Sequence, residues 1–351
     1  MSKRKLTRRQ NWRIQKIQEE RIQRAQHKDS RIDEQLAAGE LGPEQQGQII
    51  AHYGRQLDIE GQQGEWQGQL VRCHLRANLD ALVTGDQVIW RPSLKDDLGV
   101  VVAHLPRHSV LKRPNMHGDL KPVAANIDQI IITLAVEPTP FANLIDRYLV
   151  AAELSDIEPI LLLNKTDLLR QQPRPELEAM LQRYAQIGYR VLYTSTRDPD
   201  PLAELKEQLR GRISVFVGQS GVGKSSLINA LLPGVDIKVG ELSELTRKGT
   251  HTTTTARLFH FPSGGDLIDS PGIREFALWH LSPDELLEGF REFRPFLGRC
   301  RFRDCRHQQE PGCALLTAEQ EGAISAERMH SYRMILSTLD EEAQQRLEPK
   351  R

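Results

Sequence analysis

The chain is poor in the features that mark a secreted or membrane protein. It has four cysteines in 351 residues, and three of them are clustered, which does not suit a disulfide framework. Its longest unbroken apolar run is five residues, Tyr148–Ala152, where a membrane-spanning helix needs about 20. The N-terminus is basic and polar and shows no apolar segment of the secretory type, so the cytoplasm is the expected location and no membrane partner is expected. Hydrophobic residues make up 39% and charged residues 27%. That is a globular composition, long enough for two or three domains of about 100–200 residues each.

Net charge is also lacking, but the zero hides an asymmetry. Residues 1–32 carry eleven Lys/Arg against three Asp/Glu, leaving 36 basic and 44 acidic residues for the rest. A basic arm on a mildly acidic body suits contact with a polyanion. Apart from Trp12 this arm has little to bury, so residues 1–45 are expected to lack a packed core.

Residues 46–112 show short alternating segments: Ile49–His52, Leu70–Leu75, Val88–Trp90 after the turn Thr84-Gly85-Asp86, and Gly99–His104. Several short strands with glycine-bearing turns predict a small barrel of the oligonucleotide-binding (OB) type. From Ile127 the rhythm changes. Near-continuous apolar segments (Asp128–Val136, Glu158–Leu163, Arg190–Thr194, Arg212–Val217) alternate with helical ones (Asn143–Leu154, Pro175–Gly188, Pro201–Leu209, Lys224–Leu232). This predicts an α/β domain with a parallel sheet over 113–280, closed by strands Thr255–Phe261 and Asp266–Asp269. Residues 281–351 read as helical, around Pro283–Phe293 and again over Ala323–Leu347, where Ile324, Tyr332, Ile335, Leu336 and Leu339 recur at helical spacing.

The segment Gly218-Gln219-Ser220-Gly221-Val222-Gly223-Lys224-Ser225 fits the phosphate-loop pattern G-x-x-x-x-G-K-[ST] between a strand and a helix, and Ser226 follows on the first helical turn. Glycines let backbone N–H groups converge on phosphate oxygens, and the helix N-terminus adds positive potential. Lys224 is expected to reach the outer phosphates and Ser225 to ligate Mg²⁺.

Asn164-Lys165-Thr166-Asp167 closes an apolar strand as N-K-x-D. Asp167 can accept two hydrogen bonds from the N1–H and exocyclic amine of guanine, an edge that adenine does not offer. Ser195, one strand later, is expected to brace the base through its backbone N–H. Asp269-Ser270-Pro271-Gly272 fits D-x-x-G, with Asp269 toward Mg²⁺ and the Gly272 N–H toward the γ-phosphate. In the run Thr250-His251-Thr252-Thr253-Thr254-Thr255 one threonine would be a second Mg²⁺ ligand; Thr253 is favoured, then Thr252. The position after D-x-x-G, where many GTPases keep a water-orienting Gln, is Ile273. His251 is the polar residue available to replace it.

Cys300-x4-Cys305-x-His307-x5-Cys313 offers three thiols and one imidazole within 14 residues, the donor set of a closed structural zinc site. Arg301, Phe302, Arg303 and Arg306 interleave it, a composition that suits RNA.

The order of motifs is rotated. N-K-x-D and Ser195 precede the phosphate loop, and D-x-x-G comes last. With its barrel before and its knuckle after, the chain resembles the ribosome small subunit-dependent GTPase family of bacteria over roughly residues 45–345. The resemblance implies a circularly permuted P-loop GTPase acting late in assembly of the small ribosomal subunit. It also implies binding to that subunit and its rRNA, stimulation of GTP hydrolysis by the subunit, and a water-positioning role for His251. A monomer is expected. Three other readings stand beside it: an RNA-binding protein with a structural nucleotide, an ATP-dependent P-loop enzyme, and a permuted GTPase of the large subunit.

Overall fold

The computed structural model describes residues 40–54, 56–75, 79, 81–95, 97–114, 119–197, 202–234, 256–269 and 281–347. The chain divides into two compact units, one running to Arg107 and one from His108 to Gln345.

The first unit is a closed five-stranded barrel: β1 (Gln45–Tyr53), β2 (Gln56–Gly61), β3 (Leu70–Leu75), β4 (Gln87–Arg91) and β5 (Leu98–His104). The order is β1-β2-β3-β5-β4, and β4 returns to pair antiparallel with β1. β3 and β5 run parallel; the other pairs are antiparallel. Ile49, Leu57, Ile59, Cys73, Leu82, Val88, Trp90 and Val101 fill the interior, each large aliphatic contributing about 1.5–3 kcal/mol on burial. Asp86 is fully buried and accepts from Arg107 Nε at 2.6 Å and Nη2 at 2.7 Å, and from the Val83 N–H at 2.8 Å. This paired charge holds the end of the barrel to its β3–β4 connection. β2 is a strand beyond those expected from the sequence, although Leu57 and Ile59 alternate with polar neighbours.

The second unit opens with a hairpin, β6 (Val110–Pro114) and β7 (Leu120–Ala125), which is likewise additional to the expected elements. Its sheet has the order β10-β9-β8-β11-β13-β12. The strands are β8 (Gln129–Ala135), β9 (Glu158–Asn164), β10 (Arg190–Tyr193), β11 (Ile213–Val217), β12 (Arg257–His260) and β13 (Asp266–Asp269). All run parallel except β12, which pairs antiparallel with β13. Every residue of β8 is buried, as a central strand covered on both faces requires. Crossovers are α1 (Ala142–Glu153), α2 (Asp167–Gln171), α3 (Pro175–Ile187), α4 (Ala203–Leu209) and α5 (Lys224–Leu231).

Beyond the sheet come α6 (Pro283–Glu288), a 3-10 turn at Arg291–Phe296, α7 (Ala314–Gln320) and α8 (Ala326–Leu347). The helix expected over Pro283–Phe293 stops at Glu288 for two reasons. Gly289 packs against α1, where a Cβ would lie 2.5 Å from Val150 Cγ1. Pro295 has no N–H to continue an α-helix. The last helix begins at Ala326 rather than Ala323, because buried Ile324 belongs to the turn after α7. None of the described helices is long and apolar enough to cross a membrane.

The C-terminal segment is tied to the sheet's helices by buried charge. Arg328 of α8 donates to Asp146 of α1 and bidentately to Glu292, at 2.5 and 3.1 Å. Its guanidinium lies over Phe290 at 4.4 Å. The Tyr184 hydroxyl of α3 donates to the same Asp146 at 2.6 Å, and burial raises its pKa, with Asp146 adding to the rise. Glu153 of α1 takes Arg291 at 2.7 Å and Arg294 at 2.6 Å. Removing one partner of a buried set strands the others as uncompensated charges. Arg328→Ala should therefore lower unfolding stability by about 3–5 kcal/mol, read from urea or thermal denaturation; a loss below about 1 kcal/mol would contradict this role.

Candidate functional site

The phosphate-loop segment leaves β11 and enters α5 at the C-terminal end of the sheet. Its glycines are demanded by geometry. Gly218, Gly221 and Gly223 have φ of 137°, 82° and 92°, in the region where a side chain is strained. A Cβ on Gly218 would run into the Thr133 carbonyl oxygen, and one on Gly223 would lie 2.5 Å from Asn164 Nδ2. Val222 is buried and anchors the loop; Gln219 and Ser225 are half-buried, while Ser220 and Ser226 are exposed. Lys224 Nζ lies across the loop and donates to the carbonyls of Gly218 at 2.7 Å and Gln219 at 2.8 Å. No side chain caps α5 at Gly223, so its first-turn N–H groups suit an anion.

The N-K-x-D segment reaches this loop directly. Asn164 ends β9, buried, and its Nδ2 donates to the Val222 carbonyl at 2.9 Å. Lys165, at φ 59°, sends Nζ to the carbonyls of Gly221 and Glu137, each at 2.7 Å. Glu137, in the β8–α1 connection, is itself paired with Arg174 at 2.8 Å. The Thr166 N–H donates to the Thr194 carbonyl at 3.2 Å, which brings the end of β10 alongside. Asp167 opens α2. Its carboxylate accepts from Ser195 Oγ at 2.7 Å and from Arg197 Nη1 at 3.4 Å. Ser195, 1% exposed, also accepts from the Arg197 N–H at 3.2 Å. Its hydroxyl thus aims Asp167, a contact that no motif spacing signals.

Asp269 ends β13, half-buried, and β13 runs parallel beside β11, so it faces the same end of the sheet as Gly218. His251, Thr252, Thr253 and Gly272 lie outside the described residues.

The second constellation is in the C-terminal segment. One ligand atom from each of Cys300, Cys305, His307 and Cys313 lies within 4.8 Å of every other. Tetrahedral zinc, with bonds of about 2.3 Å to sulfur and about 2.05 Å to nitrogen, sets separations of about 3.8 Å between sulfurs and about 3.5 Å between sulfur and nitrogen. The structure has 3.9 Å between Cys300 and Cys313 Sγ, and 3.5 and 3.3 Å from His307 Nδ1 to these sulfurs. The donors therefore fit one zinc ion. Burial lowers the His307 pKa, which favours the neutral imidazole that a metal takes. His307 has φ 57°, and its loop is held by Glu310, a residue outside every sequence motif. That carboxylate accepts from the backbone N–H of Arg306 and Gln308, both at 2.8 Å, and of Gln309 at 3.0 Å. The Arg306 bond leads in lowering its pKa to about 2. What it contributes is present above the ordinary carboxylate range and is lost as pH falls toward that value.

A permuted P-loop GTPase is the class that this sheet order and this pair of converging loops define. The RsgA GTPase family model matches residues 104–279. The small ribosomal subunit biogenesis GTPase RsgA of Ectopseudomonas mendocina is 64% identical over 97% of this chain and 99% of its own. Among solved structures, YjeQ from Thermotoga maritima aligns with a TM-score of 0.69 at 31% identity, covering 85% of this chain and 99% of that one. YloQ, described as a circularly permuted GTPase, aligns with a TM-score of 0.67 at 28% identity, over 88% and 98%. The chain belongs to the RsgA GTPase family.

Replacing Glu310 by Ala keeps all four metal donors but frees three backbone N–H groups around His307. It should weaken zinc binding by about 10–100-fold, measured by competition with a chromophoric chelator. Unchanged affinity would contradict the part assigned to this carboxylate.

Proposed function

We propose that this GTPase is a late assembly factor of the small ribosomal subunit, acting in the cytoplasm as a monomer. It would grip rRNA through the barrel and the zinc region, while the GTPase domain times its release. The observation that carries this reading is Lys165 and Asn164 bonding to the Gly221 and Val222 carbonyls. They bring a guanine-reading carboxylate and a phosphate cradle together in a chain whose near-full-length relatives are named for small-subunit biogenesis.

In this mechanism Asp167 pairs with the guanine edge, and Asn164, Lys165, Thr166 and Ser195 shape the base pocket. The backbone of Gly218–Gly223 and the first turn at Lys224, Ser225 and Ser226 cradle the phosphates. Lys224 leaves the carbonyls of Gly218 and Gln219 and turns to the β- and γ-phosphates, where it balances charge that builds in the transition state. Ser225, Thr253 and Asp269 would hold Mg²⁺, which would supply positive charge against the charge developing on the phosphates. The Gly272 N–H senses the γ-phosphate, and His251 orients the attacking water once the ribosomal particle positions it. GTP engaging residues 240–255 and 269–280 would fix the RNA-gripping state, and hydrolysis would release it. The single zinc ion would keep Cys300, Cys305, His307 and Cys313 folded as a knuckle.

GTP turnover measured alone, with isolated small subunits and with isolated large subunits separates this reading from its rivals. The expected result is strong stimulation by small subunits only. Stimulation by large subunits alone, or turnover indifferent to both, would overturn it.

A further inference from the structure

The sheet has a second end, away from the nucleotide loops. There the start of β10 and the turn from α4 into β11 enclose an open polar cavity of about 330 Å³, lined by Arg190, Glu207, Gln208, Arg210 and Arg212. Three guanidinium groups face one carboxylate. Among the described residues Glu207 pairs with Arg210 alone, at 3.2 Å, and both side chains are exposed, so this pair is weak. Arg212 bonds to the uncharged Gln129 Oε1 at 3.5 Å. Among the described residues no carboxylate pairs with Arg190 or Arg212.

The floor supplies no counter-charge. Gln208 is buried, and its Nε2 donates to Gln129 Oε1 at 2.7 Å. Gln129 Nε2 in turn donates to the Gln208 carbonyl at 3.1 Å and to Ser214 Oγ at 2.9 Å. Asp128 accepts from the neighbouring Ile213 N–H at 2.6 Å but does not line the cavity, and it faces His108 at 3.2 Å.

We propose that this cavity binds a phosphodiester of RNA, so that the GTPase domain contacts RNA through the end of its sheet opposite the nucleotide. Guanidinium forks match phosphate oxygens in shape and charge. The lining holds no aromatic ring on which a base could stack and no glycine-rich loop. The helix end here is the C-terminus of α4, which adds negative rather than positive potential. A singly charged backbone phosphate suits these features better than a nucleotide polyphosphate. The five residues of β11 span about 17 Å, so occupancy here does not compete with the phosphate loop.

The proposal rests on the reading of the protein as a small-subunit factor, and its test separates the two. Wild type, Arg190→Gln/Arg212→Gln and Arg190→Lys/Arg212→Lys are loaded with a non-hydrolysable GTP analogue. Their affinity for isolated small subunits is measured between about 50 and 200 mM salt. The Gln variant should bind more weakly, with a slope of log affinity against log salt smaller by about 0.7–0.9, the share of one phosphate. The Lys variant should keep most of the slope, and all three should bind GDP equally and melt alike. A Gln variant whose slope equals that of wild type overturns this proposal alone. Wild type that binds no small subunit overturns the functional reading and this proposal with it. Inorganic phosphate that binds wild type but not the Gln variant, while subunit affinity is the same for both, would make this a free-anion site and overturn the RNA occupant.

Discussion

Two side chains join the N-K-x-D segment to the phosphate-loop segment. Asn164 and Lys165, at the end of β9, donate to the carbonyls of Val222 and Gly221 in the phosphate loop, 56–58 residues later in the chain. A phosphate loop must keep its N–H groups pointing inward, which turns its carbonyls outward, where each needs a donor. The N-K-x-D segment supplies those donors. The N-K-x-D segment and the phosphate-loop segment are therefore parts of one hydrogen-bonded unit, whatever the order in which the chain visits them. Permutation is tolerated because the contacts lie at one end of a parallel sheet, where loops of adjacent strands meet.

The same permutation redirects the chain after its last motif. From β13 it runs toward the C-terminal helices, and these are tied back onto α1 and α3 through Arg328, Asp146, Glu292 and Tyr184. A buried ionic set of this kind adds little net stability over well-packed apolar residues, but it penalises any other docking of α8. The β8–α1 connection carries Glu137, which touches Lys165, and α1 carries Asp146. The loop leading into α1 thus touches the N-K-x-D segment, and α1 itself carries the contacts made by the C-terminal helices.

Much of this was legible in the sequence because its signals are local. Gly218, Gly221 and Gly223 stand at positive φ, with close approach an added constraint at Gly218 and Gly223, and Cys300, Cys305, His307 and Cys313 lie within one short segment. The alternation of apolar strands and helices pointed to the parallel sheet, and short strands with glycine turns pointed to the OB-like barrel. What escaped depends on distant partners or on marginal local preference. Arg328 reads as an ordinary helical arginine until Asp146, 182 positions away, is placed beside it. The Ser195 hydroxyl and Glu310 act through loop geometry that has no spacing rule. β2 has only two buried apolar residues before its closing glycine, and the β6–β7 hairpin is rich in Lys, Arg and Pro.

In the proposed mechanism Asp167 and the Gly218–Ser225 loop serve one guanine nucleotide. Affinities of wild type and Asp167→Asn for GTP and xanthosine triphosphate test it most directly. Asparagine replaces one acceptor by a donor, which opposes the guanine amine and suits the xanthine carbonyl. GTP binding should weaken by about 10–100-fold in the variant, and its preference should reverse toward xanthosine triphosphate. Unchanged GTP affinity in the variant would contradict it.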